Sequence, residues 1–66
     1  MTTSGAWATV AGAATIVKRS QRTIFRWVAD DYVRSMERSG IVLVRISDVT
    51  ETERARYDGQ VPMKRN

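Results

Sequence analysis

The chain has 66 residues, with eleven Lys and Arg against seven Asp and Glu, a formal net charge of +4, and neither cysteine nor histidine. That length suits one small domain, and a domain this size buries only about 60% of its unfolded surface, so packing or a bound partner must stabilise it. The composition excludes disulfide staples, the usual zinc ligands, and histidine or thiolate catalysis.

The positive charge is unevenly placed. Residues 1–17 carry no charged side chain, residues 18–45 hold seven bases against three acids, and residues 46–66 hold four of each. A basic middle suits either a polyanionic partner, nucleic acid before membrane, or an ordinary solvated surface. Nine of the eleven bases are arginine, which matches phosphates and guanine edges bidentately. Residues 6–17 are fairly apolar, but twelve residues are too few to span a bilayer, and the uncharged start lacks a signal peptide's basic stretch. The expectation is a cytoplasmic, nucleoid-associated protein with no membrane contact.

Residues 1–6 read as a flexible leader. Thr9 is a good N-cap, and Val10, Ala13, Ala14 and Val17 then repeat at i, i+3, i+4 and i+7, one apolar face of a short helix. Gly12 weakens that helix by about 1 kcal/mol relative to alanine. After a tight "VKRS" connection, Ser20 is a natural N-cap for a second helix. Its apolar face is Ile24, Trp27 and Val28. At about 100° per residue, Arg22 and Arg26 point away from that face. Phe25 lies on the flank, where it either completes the core edge or packs against a sugar–phosphate backbone. Asp30 and Asp31 disfavour further helix, because a helix C-terminus repels negative charge.

Two β-prone runs flank Ser39-Gly40 and read as a hairpin with residues 37–40 near its tip. In the second run Val42, Val44 and Ile46 share one face, and Ile41, Leu43 and Arg45 the other. Asp48 offers a cap, Thr50-x-x-Glu53 a capping box, and Gly59 a stop. With only Val49, Ala55 and Tyr57 to bury, this last segment is either a short helix or partly disordered. Residues 60–66 read as a loose tail. The expected core includes Val10, Ala14, Val17, Ile24, Trp27, Val28 and Val44.

Helix, tight turn, helix, hairpin and short helix make a small α+β protein, a winged helix-turn-helix. Its domain spans residues 7–50, with residues 51–66 a charged helix or tail. In such a motif the second helix enters the major groove, which makes Ser20, Gln21, Arg22, Thr23 and Arg26 candidate DNA contacts. Lys18 and Arg19 in the turn are placed for phosphates, and Arg38, Ser39 and Gly40 at the hairpin tip for a neighbouring groove or phosphate. Arg22 and Arg26 repel one another at i, i+4, which an isolated helix pays about 0.2–0.5 kcal/mol for and a phosphate backbone would relieve. Adjacent Asp30 and Asp31 diverge, and no glycine-rich phosphate loop is present, so neither enzyme activity nor a cofactor or metal is expected.

The stretch "ATVAGAATIVKRSQRTIFRWV" resembles the opening of the excisionase-type, MerR-like winged-helix family. Thr9-Val10, Ala13-Ala14, Ser20 and Arg22-Thr23-Ile24-Phe25-Arg26-Trp27-Val28 match its pattern, and residues 40–49 resemble its second wing strand and following helix start. Three positions depart from it. Lys18 stands where the turn usually has glycine, Gly12 where the first helix has glutamate, and "DDY" where a glycine follows the second helix. The resemblance implies a non-catalytic recombination directionality factor from a bacteriophage of a GC-rich host such as an actinobacterium. Such a protein binds attachment-site DNA beside copies of itself, bends it, and directs a phage integrase toward excision. A small winged-helix transcription regulator needs the same reading head and is the alternative.

Overall fold

Thr9 ends one element and begins the next. In the computed structural model, which describes residues 6–64, strand β1 (Trp7–Thr9) runs directly into helix α1 (Val10–Val17). The Thr9 hydroxyl accepts from the Gly12 N–H at 3.1 Å, as an N-cap should. Helix α2 (Gln21–Ala29) is capped by Ser20, whose Oγ accepts from the Thr23 N–H at 3.2 Å. Strands β2 (Ser35–Arg38) and β3 (Ile41–Arg45) follow, and then helix α3 (Ile46–Tyr57). The described residues form an α+β fold, with three helices and a three-stranded antiparallel sheet ordered β1-β3-β2. None of the described helices is long and apolar enough to cross a membrane.

The hairpin turns at Ser39 and Gly40, with φ of 53° and 78°. Positive φ at both central residues is the type I′ geometry that matches the strand twist. Arg38 pairs with Ile41 beside the turn, and Ser35 with Val44 at the open end. Strand β1 was not expected from the sequence. It pairs Trp7 with Arg45 and Thr9 with Leu43, placing β3 in the centre. The Ala6 carbonyl also accepts from the Ile46 N–H at 3.1 Å, so the expected leader is tied down at its last residue. The rest of that leader, residues 1–5, and residues 65–66 of the expected tail lie outside the described residues.

The buried core joins α1, α2, β3, α3 and the link before β2 through Val10, Ala13, Ala14, Ile24, Trp27, Val33, Val44 and Val49. Val17 and Val28, expected inside, pack at its edge. Val42, one pair from the hairpin turn, is 37% exposed.

The largest corrections concern α3. Ile46 belongs to the helix, not to the strand, and the N-cap residue is Arg45, with no side-chain cap. Asp48 is not a cap. It is 1% exposed, and it accepts from the Arg34 N–H at 3.0 Å, Nε at 2.9 Å and Nη2 at 3.2 Å. The capping box does not form: Thr50 Oγ1 donates to the Ser47 carbonyl, and Glu53 pairs elsewhere. Thr52 is buried and its hydroxyl donates to the Tyr32 carbonyl at 3.5 Å, whereas Tyr57 is 83% exposed. Asp48 and Thr52 therefore hold the passage from α2 to β2. The tail is not wholly loose either. Pro62 is buried, and the Lys64 ammonium sits 5.7 Å from the centre of the Tyr32 ring.

All three helices end the same way. In each, the amide after a left-handed residue bonds five residues back: Arg19 to Ala14 at 3.0 Å, Tyr32 to Trp27 at 2.9 Å, and Gln60 to Ala55 at 2.8 Å. The left-handed residues are Lys18, Asp31 and Gly59, with φ of 58°, 68° and 76°. Their own amides bond three residues back, to Thr15, Val28 and Arg56, completing the Schellman pattern. Two of the positions where the resemblance expects glycine thus adopt glycine's backbone conformation with other residues.

Candidate nucleic-acid interface

Helix α2 is two-faced. Ile24 and Trp27 are buried, Val28 packs beside them, and Gln21, Arg22, Arg26 and Phe25 are exposed. Phe25 is 49% exposed, so it flanks the basic face instead of completing the core. Neither Arg22 nor Arg26 forms an ion pair among the described residues. Asp30, four residues after Arg26, lines the same groove without reaching salt-bridge distance. The repulsion between the two arginines therefore stands unrelieved.

The sequence-predicted contacts are brought together in part. Ser20, Gln21, Arg22, Thr23 and Arg26 share the start and outer flank of α2, though Thr23 is only half-exposed. The Ser20 hydroxyl is already engaged: it caps the helix and lies 3.1 Å from Thr23 Oγ1. Lys18 is exposed at the left-handed turn position. Arg19 is committed elsewhere. Its Nε and Nη2 donate to Glu53 at 2.8 and 3.0 Å, a bidentate pair that pins the α1–α2 turn to α3. The hydrogen bonds and charge of Glu53 raise the Arg19 pKa, and the bonds to Asp48 raise that of Arg34, so both guanidiniums stay charged at every working pH. Arg38, Ser39 and Gly40 are exposed at the hairpin tip.

One feature near α2 was not anticipated. A groove of about 280 Å³ runs along its flank, and its lining includes Thr23 and Arg26 of α2, Asp30 just after it, Arg19 of the turn, and Arg56 of α3. Arg56 is exposed and forms no ion pair among the described residues. A weak signal for it was present in the sequence, since Glu53 and Arg56 are three apart and share a helix face. Among the described residues no cluster of acidic side chains could hold a metal ion. Comparison of the chain with family models, curated proteins and solved structures finds no match.

Proposed function

We propose that this chain is a winged helix-turn-helix protein that binds and bends double-stranded DNA, and that it directs integrase-mediated recombination toward excision. The observation that carries the DNA reading is the unpaired basic face of α2, Arg22 and Arg26, opposite its buried Ile24 and Trp27. An exposed helix with that face fits the major groove, with Arg22 and Gln21 leading toward base edges. The exposed hairpin tip, with Arg38, fits a wing that reaches a neighbouring phosphate. The excision role rests on the sequence resemblance around residues 7–50. Bending a short site costs on the order of 1–6 kcal/mol, which several small copies side by side offset better than one.

The test is recombination in vitro with an integrase, attachment-site DNA and this protein. Excision that requires the protein, with integration suppressed, is the expected result. Sequence-specific binding without an effect in either direction assigns the chain to transcriptional regulation instead. If no duplex is bound in a salt-dependent manner, DNA recognition itself is refuted, because phosphate contacts impose salt sensitivity.

A further inference from the structure

We infer that the groove between α2 and the last turn of α3 holds one phosphodiester group of the DNA backbone, gripped by Arg26 and Arg56. This rests on the DNA-binding reading above and adds α3 to the interface. Two helices contribute to the groove's lining: Thr23 and Arg26 come from one flank of α2, with Asp30 just after it, and Arg56 from the last turn of α3. Arg19 also lines the groove, and its ion pair with Glu53 uses up both charges. Arg26 and Arg56 line the groove with no ion-pair partner among the described residues, against the single carboxylate of Asp30.

The geometry favours a backbone phosphate over a small molecule. A helix seated in a major groove about 12 Å wide has a sugar–phosphate strand along each flank. The flank of α2 facing Arg56 therefore lies beside one strand when Arg22 faces the bases. Guanidinium forks match phosphate oxygens, and the pair supplies two of them to one open groove. On this assignment Arg22 reads bases, while Arg26 and Arg56 fix register.

The experiment measures duplex binding by fluorescence anisotropy across a salt series, for the full chain, Arg56→Gln and Arg54→Gln. Arg54 is also exposed in the last turn of α3, but it lies about 200° round the helix from Arg56 and does not line the groove. Arg56→Gln is expected to reduce the salt slope by about 1 and to weaken cognate and unrelated duplexes by the same factor, with Arg54→Gln near wild type. Arg56→Lys should recover part of the slope, and unchanged thermal melting excludes misfolding. An Arg56→Gln slope equal to wild type, or equal losses in the two glutamine variants, overturns the groove and leaves DNA binding standing.

A second arm titrates inorganic phosphate while following the arginine Nε–H signals by NMR. If no duplex binds but phosphate moves Arg26 and Arg56 together, the DNA reading fails and the groove is a site for a free phosphoryl group. If no duplex binds and neither signal moves, both inferences fall.

Discussion

Trp27 and Arg26 are neighbours in sequence with opposite duties, and substitution separates them. Trp27 is buried against the core, so Trp27→Ala should cost about 3–5 kcal/mol and unfold much of the population, read as lost cooperative melting. Arg26→Ala should melt like wild type yet weaken every duplex alike, whereas Arg22→Ala should cost about 1–3 kcal/mol against the cognate site alone. A different logic applies at Asp48. Its carboxylate takes three donors from Arg34, including a backbone N–H. Asp48→Ala leaves that amide without its acceptor, and about 1–3 kcal/mol of stability should disappear in urea denaturation. The outward arginines of α2 were legible because a helical angle is a local property. The pairing of Arg19 with Glu53 was not, since it depends on how α3 packs 34 residues further along the chain.

Lys18 shows what an element end can cost. A left-handed backbone strains any residue with a Cβ, and Lys18 takes it because the Schellman ending of α1 requires it. Lys18→Gly should therefore stabilise the fold by about 0.5–1 kcal/mol, raising Tm by a few degrees. If Lys18 also touches a phosphate, the same variant binds DNA with a shallower salt slope. A natural lysine at a glycine position would then reflect charge retained at the expense of stability. Helices α1 and α2 and the hairpin were readable from caps, periodicity and turn residues, all contained within short windows. Strand β1 escaped because three residues show no pattern and their partners are Leu43 to Arg45. The start of α3 was misplaced for a similar reason. Asp48 looks like a cap in sequence, but Arg34 draws it inside the first turn.

At the scale of the whole molecule, a 66-residue chain without disulfides has little stability in reserve. Ligand binding should be visible as heat resistance. Saturating the protein with cognate duplex at a hundredfold excess over Kd adds about 2.7 kcal/mol, which in a domain this small raises Tm by roughly 10–20 °C. Scanning calorimetry with cognate and scrambled duplexes measures it, and identical melting with and without duplex contradicts the DNA reading. The central position of β3 also sets an order in time. Helices α1 and α2, and strands β2 and β3, are near neighbours in the chain and can meet quickly. The first strand is expected to dock later, because its partners are Leu43 to Arg45, with the Ala6 carbonyl then receiving the Ile46 amide. Closing that long loop carries the larger entropy cost, so Trp7 to Thr9 are expected to join the sheet last.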